Sequence, residues 1–148
     1  MPQSSKALIL LVVSFFALSC EKNPVGPGDL TSTDDFLVAL RQQGASVTRG
    51  DVLPLGMPCF STNGRVVSVN TGSVNVFEYP TAAAAETDAS KVSPDGSYVR
   101  GDSCAAVIEW VGPPHFYKSA RLIVTYAGSA DDVLRPLEAV LGPPFARR

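Results

Sequence analysis

Hydrophobic residues recur at helical spacing near the start of the folded region, and alanine dominates a second segment. Two aspartates followed by an apolar stripe predict a helix over 34–43, since acidic residues in a first turn stabilise the helix dipole. Gly44 then marks the end of that helix. A second helix is predicted over 82–91, where an alanine-rich run follows Thr81 as its N-cap.

The strongest amphipathic pattern lies near the end of the chain, after Ser129. Its apolar residues fall at i, i+1, i+4, i+7 and i+8 and are Val133, Leu134, Leu137, Val140 and Leu141. This spacing predicts a third helix. Pro136 lacks the N–H that an interior turn needs, so the helix either starts near Asp132 or kinks at the proline.

Alternation of apolar and polar residues predicts four strands. The first pair, 65–69 and 74–79, is separated by a short turn-forming segment and is therefore a hairpin. The second pair is 104–111 and 121–126, which we expect to be partners joined by a long link over 112–119. The link contains two prolines and a glycine, which are typical of loops.

The residue pattern of two further segments does not decide whether they form strands. The apolar residues of 47–55 lie among glycine and proline and allow one short strand, and 58–61 allows another before the first hairpin. The resulting order is α-β-β-α-β-β-α. It predicts an α+β domain with a small antiparallel sheet of four to five strands and about three helices packed on one face.

The first residues have a different character from the rest of the chain. Lys6 precedes an uncharged apolar run over 7–18. A membrane-spanning helix needs roughly 20 apolar residues, and this run has only about a dozen. The pattern therefore predicts a signal peptide over 1–19.

The residues at the end of this run are Ala17-Leu18-Ser19-Cys20. They resemble the lipobox of bacterial lipoproteins, although alanine stands where the commonest lipobox has leucine. The resemblance implies that Cys20 becomes the first mature residue and carries acyl chains such as palmitate. The alternative is an ordinary secretory cleavage that leaves a free thiol. Proline and glycine in 20–33 predict a flexible tether, and 34–146 forms one domain.

Composition and charge restrict the partners of the mature protein. The chain of 148 residues has 12 basic and 14 acidic residues, and cleavage after residue 19 removes only Lys6 among them. No basic cluster exists apart from Arg147-Arg148, so nucleic-acid binding is not expected. The expected partners are the membrane, through acyl chains on Cys20, and another protein of the cell envelope.

Cys59 and Cys104 are the remaining cysteines. Export would place them in an oxidising compartment, where two thiols tend to form a disulfide. The alternative is a pair of buried thiols that pack as small apolar groups. Two cysteines 45 positions apart and a single histidine do not make a zinc ligand set, and we predict no metal or other cofactor.

Aromatic residues concentrate in one segment and make it the candidate binding site. The segment holds Trp110, His115, Phe116 and Tyr117, and its prolines would make it a rigid loop. The alternative is that these rings form the core at the end of a hairpin. His115 has no nucleophile or carboxylate at a motif spacing, so we predict no catalytic residues.

Five short sequence motifs are spread over the mature region. They are Val76-Phe77-Glu78-Tyr79, Ser93-Pro94-Asp95-Gly96, Trp110 with Pro113-Pro114-His115-Phe116-Tyr117, Leu122-Ile123-Val124 with Tyr126 and Gly128, and Leu141-Gly142-Pro143-Pro144-Phe145-Ala146. Together they resemble a group of small bacterial proteins, many of them predicted lipoproteins, that carry no assigned function. The resemblance implies one domain over 34–146 and implies nothing about chemistry.

Three functional interpretations remain. The sequence favours a non-enzymatic, lipid-anchored domain that binds or supports another envelope component. One alternative is a small envelope hydrolase or ligand-processing accessory that uses His115, and another is a purely structural surface lipoprotein. In each case we expect an extracytoplasmic protein at the periplasm-facing outer membrane or the cell surface. Glu21 follows Cys20 where aspartate marks inner-membrane retention in some Gram-negative species, and this favours the outer membrane if the source has one.

Overall fold

The structure is a computed structural model that describes residues 29–54 and 56–148. The predicted signal peptide, Cys20 and the tether up to residue 28 lie outside the described residues. In the described part, the elements in chain order are α1 (Thr33–Gln42), β1 (Val47–Leu53), β2 (Gly64–Val69), β3 (Gly72–Glu78), α2 (Ala82–Ala89), β4 (Tyr98–Arg100), β5 (Ala105–Val107), β6 (Pro114–Ser119), β7 (Leu122–Ala127), α3 (Asp131–Leu141) and β8 (Ala146–Arg147). No helix among these residues is long and apolar enough to cross a bilayer.

The described strands form two antiparallel sheets. The larger sheet has six strands in the order β1-β2-β3-β7-β6-β8, while β4 and β5 form a separate two-stranded ribbon. The α+β class is confirmed, but the strands outnumber the four to five that we predicted. Residues 47–53 form a full strand with a bulge between Arg49 and Val52, and 58–61 is a turn instead of a strand.

The three helices begin close to their predicted positions. The Ser32 side chain accepts a hydrogen bond from the Asp35 backbone N–H at 3.1 Å and caps α1. Gly44, with φ of +80°, follows the last turn of α1, where a left-handed residue ends a helix. Thr81 caps α2 in the same way by accepting from the Ala84 N–H.

Helices cover both faces of the six-stranded sheet, which corrects our prediction that they pack on one face. Helices α1 and α3 share a core with one side of the sheet, here called the α3 face. Helix α2 and the β4–β5 ribbon pack on the other side, here called the α2 face. Five consecutive residues of β7, from Leu122 to Tyr126, are buried, because a strand covered on both faces buries every side chain.

The partner of β7 differs from the predicted one. Residues 104–111 do not join the main sheet, and only 105–107 form a strand, which pairs with β4. The segment that we predicted as a loop instead contains β6, which pairs with β7 from Pro114↔Ala127 to Ser119↔Leu122. Two prolines suggested a loop, but Pro114 occupies the first position of a strand, where its missing N–H is tolerated.

Helix α3 runs from Asp131 to Leu141 and passes through Pro136. A proline at this position leaves the carbonyl of Asp132 without its usual donor four residues later. The side-chain amide of Asn70, in the β2–β3 turn, donates to that carbonyl at 2.6 Å. The Asp132 carboxylate in turn accepts from the Thr71 hydroxyl at 2.7 Å. The turn between β2 and β3 therefore compensates for the proline.

We expect Asn70→Gly to lower the free energy of unfolding by about 2 kcal/mol, because it removes two hydrogen bonds of about 1 kcal/mol each, one donated to the Asp132 carbonyl and one accepted from the Ser46 N–H. Glycine keeps the positive φ of +50° that Asn70 adopts, so the backbone is not strained. In a Pro136→Ala background the same change should cost less, because alanine supplies the missing N–H. Urea unfolding of the two single variants and the double variant measures this coupling. Strictly additive effects would contradict the assignment.

A buried carboxylate attaches the segment 57–61 to α2. Asp88 is 1% exposed and accepts from the Ser61 N–H at 2.6 Å and from its hydroxyl at 2.8 Å. Its second oxygen accepts from the Lys91 ammonium at 2.6 Å, which also donates to the Cys59 carbonyl at 2.9 Å. Burial alone would raise the pKa of Asp88, but the hydrogen bonds from Lys91 and Ser61 outweigh it and hold the pKa below the usual value for an aspartate.

This depressed pKa predicts an acid-dependent loss of stability. A carboxyl with a lower pKa in the folded than in the unfolded protein stabilises the fold above its unfolded pKa, and that contribution is lost as the pH falls through the folded value. We therefore expect Asp88→Asn to flatten the fall in unfolding free energy that begins as the pH drops below about 5. Denaturant titrations over this range measure the slope, with the exposed Asp102→Asn as control. An unchanged slope in Asp88→Asn would argue against this role.

Candidate functional site

The four predicted binding residues lie on opposite faces of the sheet. Successive side chains of a strand point to opposite faces, so β6 places His115 and Tyr117 on the α3 face and Phe116 on the α2 face. Trp110 packs against the α2-face core. Phe116 and Tyr117 are both 0% exposed and therefore cannot contact a ligand directly. The structure thus brings Trp110 and Phe116 together and separates them from His115 and Tyr117.

Trp110 is held in a fixed orientation at the surface. Its ring meets that of Phe116 edge-on, with 5.6 Å between the ring centroids. The indole N–H donates to the Gly96 carbonyl at 2.8 Å, which connects the tryptophan to the turn before β4. Phe116 also contacts Phe145, with centroids 6.0 Å apart. Phe116 therefore supports Trp110 from beneath, while the half-buried indole remains partly accessible.

Trp110 lines an open groove of about 620 Å³ beside the β4–β5 ribbon. The apolar part of its lining comes from the ribbon and from the segment leading into β6: Val107, Ile108, Trp110, Val111 and Pro113. Two of these side chains are unusually exposed, Val107 at 76% and Val111 at 100%. Accessible apolar surface around a fixed aromatic ring is typical of a binding site.

Two charged side chains also line the groove. Glu109 and Arg148 both border it, and both residues are exposed. Neither forms an ion pair with another of the described residues. The groove thus offers one free anion and one free cation beside its apolar lining.

His115 is half-buried, and one of its ring nitrogens lies against a backbone carbonyl. Its Nε2 lies 3.1 Å from the Gly128 carbonyl oxygen, and since a carbonyl only accepts, Nε2 carries the hydrogen. Its Nδ1 is buried without a hydrogen-bond partner among the described residues. Burial lowers the pKa of His115 and raises that of the neighbouring Tyr117 to about 12. No serine or cysteine of the described part donates a hydrogen bond to this imidazole.

The disulfide between Cys59 and Cys104 is confirmed, with 5.5 Å between the Cα atoms. Cys59 lies in the segment held by Asp88, and Cys104 immediately precedes β5. The bond therefore attaches the groove-forming ribbon to the body of the domain. Within the described part, no three His, Cys, Asp or Glu side chains gather where they could hold a metal ion.

Part of this groove was predicted from the sequence, because Trp110 and the segment that follows it, up to Pro114, belong to the candidate binding segment. The contribution of Val107 was not predicted, since it was assigned to a strand paired with 121–126, and Arg148 attracted attention only as part of a terminal basic pair. The exposure of Val107 depends on the pairing of β5 with β4, which no local pattern indicates. Comparison of the chain with family models, with curated proteins and with solved structures finds no match.

Proposed function

We propose that this chain is a lipid-anchored, extracytoplasmic protein whose α+β domain binds another component of the cell envelope through the Trp110 groove. The observation that carries the proposal is the groove itself, where Val107 and Val111 expose apolar surface beside a fixed indole. A soluble domain normally buries such side chains, and exposed apolar surface of this kind marks interaction sites.

Two further features support the placement outside the cytoplasm. The lipobox-like residues around Cys20 and the proline- and glycine-rich segment after them are typical of anchored bacterial lipoproteins. The Cys59–Cys104 disulfide fits an oxidising compartment, because thiols of cytosolic proteins are usually kept reduced. Two or three acyl chains would anchor the protein stably, since each buried methylene contributes about 0.8 kcal/mol.

Metabolic labelling with a fatty acid tests the anchor. We expect the full chain to incorporate label and to fractionate with membranes, and we expect Cys20→Ala to lose both properties. Glu21→Gln is the control, because it changes the residue next to Cys20 and leaves the thiol and the Cys59–Cys104 disulfide in place. Retention of label by Cys20→Ala would overturn the anchoring proposal.

Co-purification tests the binding groove. We expect Val111→Asp to reduce recovery of the bound envelope component by about tenfold, because a desolvated charge opposes apolar contact at the centre of an interface. Val38→Asp is the control, since Val38 is also an exposed valine, at 49%, but lies on α1. Equal recovery with both variants would show that the groove is not the binding surface.

A further inference from the structure

Strand β5 presents an unpaired backbone edge. The Ile108 N–H donates to the Ser97 carbonyl and the Gly101 N–H donates to the Cys104 carbonyl, so residues 104 and 108 turn their backbone groups toward β4. Hydrogen-bonded and non-bonded positions alternate along an antiparallel pair. Ala105, Val107 and Glu109 must therefore point their N–H and C=O groups away from β4, and no backbone partner among the described residues meets them.

Strand β5 is only three residues long, which limits pairing at an edge, but it carries no lysine, proline or bulge. Natural edge strands carry lysine, proline or a bulge that discourages the addition of another strand. The outer strand β1 of the main sheet has such a bulge, between Arg49 and Val52. In β5, alanine and valine pair with β4 in an uninterrupted register. The free edge of β5 is thus open to a further strand.

The free edge and the groove share residues. Val107 and Glu109 present unpaired backbone groups and also line the groove. An extended chain on this edge would place alternate side chains toward Val111 and Trp110, as in peptide recognition by strand addition. The unpaired Arg148 favours a carboxylate on such a chain, and the unpaired Glu109 favours a basic side chain.

We propose that the free edge of β5 binds an extended peptide segment of another protein as an added strand, with apolar side chains in the Trp110 groove, a carboxylate at Arg148 and a basic side chain at Glu109. This inference rests on the proposed function and specifies the partner of the same groove. Affinity would come from main-chain hydrogen bonds to Ala105 and Val107, and selectivity from the groove and its two charges.

The test uses a phage library of random decapeptides that is panned on the full chain purified in detergent. We expect the selected peptides to alternate apolar residues and to carry both charges, and we expect Arg148→Glu to weaken binding of the acidic ones at least tenfold. Val107→Pro should also weaken binding at least tenfold, because proline removes the outward N–H and leaves the hydrogen bonds to β4 intact. Val107→Thr keeps the N–H and should stay within threefold of wild type.

The outcomes separate this inference from the proposed function. If selected peptides lose affinity with Trp110→Ala but bind Val107→Pro normally, strand addition is wrong while the groove remains a binding site. If no peptide is selected and the chain instead dimerises through Val111, or binds vesicles of phosphatidylethanolamine and phosphatidylglycerol through it, the peptide proposal fails. Circular dichroism and the intact disulfide establish that each variant is folded.

Discussion

Replacement of Cys59 and Cys104 together by serine is expected to lower the free energy of unfolding by roughly 4 kcal/mol. The bond closes a loop across a sequence separation of 45, and a loop of this size restricts the unfolded chain by about that amount. The effect is large for one small domain, whose total stability is about 5–15 kcal/mol. The β4–β5 ribbon should be affected most, since Cys104 immediately precedes β5.

Denaturant unfolding of the double serine variant measures this loss. Wild type treated with a reductant should behave like the variant, while the variant itself should not respond to the reductant. Hydrogen exchange should accelerate in β5 before it accelerates in β2 and β3. Equal stability of wild type with and without reductant would contradict a stabilising role for the bond.

Phe116→Ala is expected to cost about 3–5 kcal/mol, as truncation of a buried phenylalanine usually does. The ring is 0% exposed and contacts both Trp110 and Phe145. Gly96 also packs closely on it, since a Cβ at that glycine would lie 2.8 Å from the ring. Its removal leaves a cavity directly beneath Trp110 and should loosen the groove.

Two measurements check this prediction. Unfolding followed by circular dichroism gives the stability, and fluorescence reports on Trp110, which is the single tryptophan of the chain. We expect a red-shifted emission in folded Phe116→Ala because the indole gains contact with water. Val38→Ala is the control and should change stability by less than about 0.5 kcal/mol. A loss below about 1 kcal/mol in Phe116→Ala would mean that the ring does not support the groove.

The elements predicted correctly are those that local sequence determines. The β2–β3 hairpin alternates apolar and polar residues on both sides of a two-residue turn, and Asn70 tolerates its positive φ of +50°. Helices α1 and α2 have side-chain caps, and α3 has a strong apolar stripe. Such signals act within a few residues, so a single sequence reveals them.

The errors come from interactions between distant residues. Pro113 and Pro114 suggested a loop, yet the residues from Pro114 to Ser119 pair with β7 and form strand β6. The pattern of 104–111 suggested a strand of the main sheet, but the disulfide and β4 hold its first half in a separate ribbon. The aromatic cluster was recognised in the sequence, whereas its division between two faces follows from the position of β6.

The binding role of the Trp110 groove is tested most directly by photo-crosslinking in intact cells that express the full chain with a photoreactive amino acid at position 111. The same residue at position 38 is the control, since both native valines are exposed but only Val111 lines the groove. We expect a discrete adduct with an envelope component from position 111, lost with Trp110→Ala and absent from position 38. No adduct from position 111, or the same adducts from both positions, would contradict a binding role for the Trp110 groove.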